Sequence, residues 1–193
     1  TRASNVAEAI REAYPGRIAG EDDLTKLSKL GGDRQPHLPH VRILFDILID
    51  QPFFKGMTEE QLRAVAETAK LVTFDEGSVM FVEGGPARMS YLILDGDVAL
   101  SLRTQEHGAR TIQTLHGGDF VGWSWMYPPY RWSFDANVRS EVKAVQFDGP
   151  LLKKLSVADP ELGYDLLRRF TEVIVNRMQA LRIQLLDVYS TFR

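Results

Sequence analysis

The sequence predicts an α+β chain: a small jelly-roll-like barrel of short strands, flanked by N-terminal helices and followed by one long C-terminal helix. Three observations predict it. The hydrophobic period is helical up to about residue 70, becomes two from "LVTFD" onward, and turns helical again from about residue 150. Gly77, Gly84, Gly85, Gly96, Gly117 and Gly118 punctuate the middle segment at the close intervals that short, reversing strands require. Beyond it, Leu167, Ile174, Leu181 and Val188 recur every seven residues, with Met178 and Leu185 at the other seam position.

The elements follow in order. Residues 1–40 are polar and broken. "SNVAEAIREAY" reads as a short helix capped by Ser4 or Asn5 and stopped at Pro15-Gly16. "EDDLTKLSKL" reads as a second, with acids first and lysines last, as the helix dipole favours. "GGDRQPHLPH" reads as a linker, so 1–40 is a helical, partly ordered arm with no chemistry of its own, available to dock a protein partner.

Residues 41–156 form the body. "HVRILFDILIDQPFF" starts helical and breaks at Pro52. "TEEQLRAVAETAKLV" has Thr58 and Gln61 in capping-box spacing and Leu62, Val65, Ala66 and Ala69 on one face. Strands are expected on either side of Glu76-Gly77. Two more are expected about Asp95-Gly96, a hairpin signal because such a turn needs positive φ. "ARTIQTL", "SFDANVRS" and "VKAVQFD" supply the rest. Residues 157–193 form the last helix, with Asp159 as cap and Pro160 at its first position. A helix of about thirty residues is too long to bury itself on one small barrel, so Leu167, Ile174, Met178, Leu181, Leu185 and Val188 are the expected seam of a homodimer. Arg168, Arg169, Arg177 and Arg182 fall mostly outside that seam and are expected on a solvated face.

Composition narrows the function. Among 193 residues the net charge is −3, which argues against direct DNA binding, since nucleic-acid binders usually carry a basic excess. The absence of cysteine removes disulfide, thiol and iron–sulfur chemistry and fits a reducing, cytoplasmic setting. No apolar run approaches the roughly 20 residues of a membrane span, and no signal peptide is visible. His37, His40, His107 and His116 are scattered, so no metal site is expected. No nucleophile–base set, phosphate loop or dinucleotide fingerprint appears, so neither an enzyme nor a cofactor is expected.

The most unusual stretch is "GDFVGWSWMYPPYRWSFDA", residues 118–136, which holds all three tryptophans. Three uses stay open. Trp123, Trp125 and Phe134 can fill a core, each burying about 150–250 Å². Trp123 or Trp125 can stack on a ligand, with Ser124 and Asp135 as polar contacts. The stretch can also be an exposed docking patch.

The motifs "PFFKGMTEEQLRAVA", "GSVMFVEG", "YLILDGDVAL" and "GGDFVG", in this order and spacing, resemble the cyclic nucleotide-binding domain, and more closely the sensor half of Crp/Fnr-family regulators. The resemblance covers about Leu44 to Val188. It implies a β-roll with a phosphate-binding cassette that holds a cyclic nucleotide by backbone N–H groups at a short helix start. It also implies a glutamate for the ribose and an arginine for the cyclic phosphate. Trp123 stands at the glutamate's place and Phe134 at the arginine's, while Ala136 and Val138 keep the following pattern. Losing charge-assisted hydrogen bonds worth about 1.5–3 kcal/mol each weakens binding by two or more orders of magnitude. Arg131 and Arg139 are the cations near enough in sequence to substitute. The candidate cassette is therefore Gly122, Trp123, Ser124, Trp125, Arg131, Phe134, Asp135 and Ala136. Family regulators continue into a helix-turn-helix, whereas this sequence stops at Arg193. The expectation is a non-enzymatic regulatory module that does not bind cyclic AMP or cyclic GMP in the standard way. The alternatives are a scaffolding subunit with a self-filled pocket and a regulator fragment lacking its DNA-binding domain.

Overall fold

The computed structural model describes residues 38–104 and 108–191, and the two helices expected before residue 31 lie outside them. Helix α1 (Leu38–Leu48), a 3-10 turn (Pro52–Phe54) and α2 (Glu59–Glu67) lead into eight strands. These are β1 (Ala69–Phe74), β2 (Val79–Phe81), β3 (Met89–Asp95), β4 (Val98–Thr104), β5 (Gly108–Leu115), β6 (Phe120–Val121), β7 (Asp135–Val138) and β8 (Val142–Asp148). Helices α3 (Gly149–Ala158) and α4 (Pro160–Thr191) close the chain.

The helix starts follow from local chemistry. The Thr58 hydroxyl accepts from the Gln61 N–H at 3.2 Å, and the Gln61 side-chain oxygen accepts from the Thr58 N–H at 3.1 Å, closing the expected capping box. Asp148 accepts from the Leu151 N–H at 2.9 Å to start α3. Asp159 accepts from the N–H groups of Glu161 and Leu162, both at 3.1 Å, to start α4 at Pro160 as expected.

The strands form two antiparallel four-stranded sheets, ordered β1-β8-β3-β6 and β2-β7-β4-β5. The first sheet is covered on both faces. Tyr91 and Ile93 of β3, with Val142 and Ala144 of β8, face the second sheet. Leu92, Val145 and Phe147 point the other way, into a second core with Leu44, Leu62, Leu166 and Phe170 of the helices. A period of two with both faces buried explains why "YLIL" reads as one apolar run.

The expected Asp95-Gly96 hairpin is not one. β3 pairs with β6 and β8, and β4 pairs with β5 and β7, so the turn is a corner between sheets. Gly96 does take a positive φ of 88°, but its lack of a side chain serves close packing too. A Cβ there would lie 2.1 Å from the Glu141 carbonyl oxygen. The corner is tied to that neighbouring turn by Arg139 N–H to Asp97 O at 2.8 Å and Asp97 N–H to Ser140 Oγ at 2.9 Å. The strands beside Glu76-Gly77 likewise belong to different sheets. The last strand, β8, ends at Asp148, and residue 156, where the body was expected to end, lies in α3.

Helix α4 has two apolar stripes. Leu162, Leu166 and Phe170 are buried on the body, and Val173 packs beside them. On the other side Leu167 is 53% and Met178 is 62% exposed, near Tyr164, Val175 and Ile183, which are also exposed. Arg169 and Arg177 correct the expected solvated face. They continue the inner stripe and are only 7% and 8% exposed.

Candidate functional site

The chain between β6 and β7 crosses the mouth of the β-roll. Residues 122–134 make turns and contain no helix. Gly122 opens the crossing with φ 88°, and a Cβ there would sit 2.8 Å from the Trp132 ring. Glycine at this position therefore lets the indole lie flat over the backbone. Trp132 stacks on Phe81 of β2 with ring centres 3.9 Å apart and planes 14° apart. Its main chain is pinned as well: Trp132 N–H donates to Gly85 O at 3.0 Å, and Gly84 N–H donates to Trp132 O at 2.8 Å. With Phe134, Trp123 and Val121, this indole leaves a cavity of about 20 Å³, room for one water.

The structure distributes the candidate residues widely. Trp123, Ser124, Phe134 and Gly122 line the small cavity. Trp125 turns away from it into the helical core, edge-on to Phe170 with centroids 5.9 Å apart, and its Nε1–H is buried without an acceptor. Arg131 points outward and donates to the Gly84 carbonyl at 2.5 Å. Arg139 donates to the Thr111 hydroxyl at 3.2 Å, also at the exposed surface. Ala136 is part of the core between the sheets.

Asp135 is buried and fully engaged. One oxygen accepts from the Glu83 N–H at 2.7 Å and the other from Arg103 Nε at 3.0 Å. Burial pushes its carboxyl up, but the Glu83 N–H and the Arg103 guanidinium outweigh this and hold it below the usual range. It therefore cross-links β7 to β4 and the Glu83 loop, with little capacity left for a ligand.

Two residues that matter here were not foreseen from sequence. Trp132 lines the small cavity beside Trp123 and Phe134, in the place expected of Trp125 among the three fillers. Arg177 of α4 reaches back to the crossing, donating to Phe120 O at 2.8 Å with its guanidinium 4.5 Å from the Trp123 ring centre. A signal for Arg177 existed: it follows Leu162, Leu166, Phe170 and Val173 at helical spacing, which places it on the inner face.

Residues 71–158 match the family model of the cyclic nucleotide-binding domain. The chain carries a cyclic nucleotide-binding domain. The chain is 27% identical over 147 residues to a CRP-like cAMP-activated global transcriptional regulator of Mycobacterium tuberculosis. The match covers 76% of the chain and 63% of that regulator, so the chain spans less than two thirds of its length. A cyclic nucleotide-binding protein structure from Geobacter metallireducens superposes with a TM-score of 0.63 at 27% identity, covering 69% of this chain and 96% of that one. A cyclic nucleotide-binding domain from Methylobacillus flagellatus gives 0.66 at 18% identity, covering 79% and 92%, and shares the fold. The crossing from Gly122 to Phe134 carries six of the eight candidate cassette residues expected from sequence.

Among the described residues, no cluster of three or more histidine and acidic side chains is placed to hold a metal. None of their helices is long and apolar enough to cross a membrane.

Proposed function

We propose that the chain is a non-enzymatic regulatory module whose cyclic nucleotide-binding domain does not hold cyclic AMP or cyclic GMP in the standard way. The small cavity carries this reading. Sites for small molecules span about 300–1,000 Å³, whereas the space beneath the cassette is about 20 Å³. The stacked rings of Trp132 and Phe81 form part of its lining. The positions where the family places its two polar anchors hold Trp123 and Phe134, and Arg131 faces away. Calorimetric titration with cyclic AMP and cyclic GMP, with tryptophan fluorescence followed in parallel, should give no saturable signal up to millimolar concentration. Micromolar binding of either nucleotide overturns the proposal.

The module is proposed to act as a homodimer through α4. Exposed Leu167 and Met178, with half-buried Ile174 and Leu181, form the outer stripe that supports this. Leu185 and Val188 continue the stripe in sequence, but their side chains lie outside the described residues. Met178→Glu should yield monomers in sedimentation, and an unchanged mass removes the dimer. A scaffolding role is the second reading, favoured by the exposed Tyr127 and Tyr130 on the outer surface of the cassette. Silence toward an entire panel of small metabolites favours that scaffold over a sensor.

A further inference from the structure

A larger cavity, of about 440 Å³, lies outside the cassette, between the 3-10 turn, β5, the turn before β6 and the inner face of α4. That volume falls within the usual range for sites that take small organic molecules. Arg177 lines both this cavity and the small one beneath Trp132.

The electrostatics of Arg177 are unusual. Its side chain is among the most buried of the charged groups, yet among the described residues no carboxylate lies within ion-pairing distance of it. Of its five N–H donors, one bond is accounted for, to the Phe120 carbonyl. Burial brings its pKa down to about 10, with the charge of Asp119 opposing, so the group is still cationic at neutral pH. One Asp119 oxygen accepts from the His116 main-chain N–H at 2.8 Å. Buried charges in proteins are as a rule paired, because an unpaired one forfeits its hydration without return.

The remaining walls fit an anion. Lys55 and Asn176 supply further donors, while the buried, unpartnered side-chain oxygen of Gln113 can accept only from a hydroxyl carried by the ligand and not from its anionic group. Of the two acids at the cavity, Glu172 is paired with Arg168 at 2.8 Å. Asp119, bonded through one oxygen to the His116 main chain, acts on Arg177 by charge alone and outside ion-pair distance. We propose that this cavity binds a small organic anion, a carboxylate or phosphate ester, with Arg177 as its charge partner. This site goes beyond the closed-cassette reading and stands whether or not the cassette ever opens. Because Arg177 lies over Trp123 and belongs to α4, occupancy would be felt both at the cassette and along the helix.

The full chain should be titrated with citrate, succinate, inorganic phosphate and glycerol 3-phosphate, with sodium chloride at matched ionic strength as the control. Expected is a saturable rise in Tm and a change in tryptophan fluorescence with at least one oxyanion and not with chloride. The carboxylate and phosphate arms separate the two ligand classes. Arg177→Met should weaken the response about tenfold or more, as loss of a charge-assisted bond predicts. Lys55→Gln, at an exposed position, should weaken it by a smaller factor, and Lys153→Gln, on another face, should leave it intact. Responses that chloride reproduces, or that survive unchanged in both Arg177→Met and Lys55→Gln, overturn the site.

Discussion

Arg169 and Arg177 stand eight residues apart on one helix, about 12 Å along its axis, are almost equally buried, and meet opposite surroundings. Arg169 bonds the Asp165 carboxylate at 2.6 Å, the Phe53 carbonyl, and the Lys55 carbonyl at 3.0 Å. It is a clamp that holds the 3-10 turn against α4. Arg177 makes one main-chain bond, covers an indole and faces a cavity. The difference teaches that burial of a cation does not by itself report its role. A cation whose donors are satisfied within the fold serves the fold. One whose donors are not is available to something the fold does not contain.

The largest expected effect tests the clamp. Arg169→Met removes the donors to two carbonyls and one of the two arginines on Asp165. Breaking a buried ion pair costs about 3–5 kcal/mol, and the lower end applies because Arg168 still holds Asp165 at 2.8 Å. At about 2–4 °C per kcal/mol for a chain of this size, the Tm should fall by roughly 6–12 °C. A fall of less than 2 °C by scanning calorimetry would erase the contrast between the two arginines.

Arg177→Met should behave in the opposite way. The variant gives up one hydrogen bond and a cation–π contact, together about 1–3 kcal/mol, but also relieves an unpaired buried charge. The expected change in unfolding free energy is within about 1 kcal/mol of zero, in either direction. A loss of about 3 kcal/mol in chemical denaturation would make Arg177 a second clamp, and its cavity would lose its main argument.

Much of the fold was legible in sequence because it rests on local chemistry. The capping box at Thr58, the cap at Asp159 and the change of hydrophobic period all depend on neighbouring residues. The sheet assignment of the strands was not legible. The Asp95-Gly96 step asks for positive φ in a hairpin and in a corner alike, and only the approach of Glu141, forty-odd residues away, selects the corner. Motif spacing pointed to the stretch between β6 and β7, with Trp123, Trp125 and Phe134 as its expected filling. Trp123 and Phe134 line the small cavity, but the third aromatic from this stretch is Trp132 and not Trp125. Nothing local separates Trp125 from Trp132. What separates them is Gly149 beneath one indole and Phe81 and Gly122 beneath the other. Gly149 and Phe81 are distant in sequence, and Gly122, though only three residues before Trp125, packs on Trp132 ten residues on. The two arginines divide the same way. Asp165 lies four residues before Arg169, an ion-pair spacing readable from sequence, while the helical neighbours of Arg177 at three and four residues are Val173, Ile174, Ala180 and Leu181.

The smallest effect is a pH dependence that separates the two sites again. Burial pushes the Asp165 carboxyl up, but hydrogen bonds and charge from Arg168 and Arg169 outweigh it and hold the group below its ordinary value. A carboxylate depressed on folding contributes stability that is complete above its unfolded pKa of about 3.9 and is lost as pH falls through the lower folded value. Asp135, depressed by Glu83 and Arg103, adds to the same acid limb. Stability should therefore be flat from about pH 7 to pH 5 in this respect and decline below about pH 4. Arg169→Met should make that decline shallower, because Asp165 then has less to lose on protonation. Arg177→Met should leave it parallel to the parent chain, since no carboxylate is paired with Arg177. Parallel acid limbs for both variants, measured by urea unfolding between pH 3 and pH 7, would mean that Arg169 holds its carbonyls alone and that Asp165 is held by Arg168.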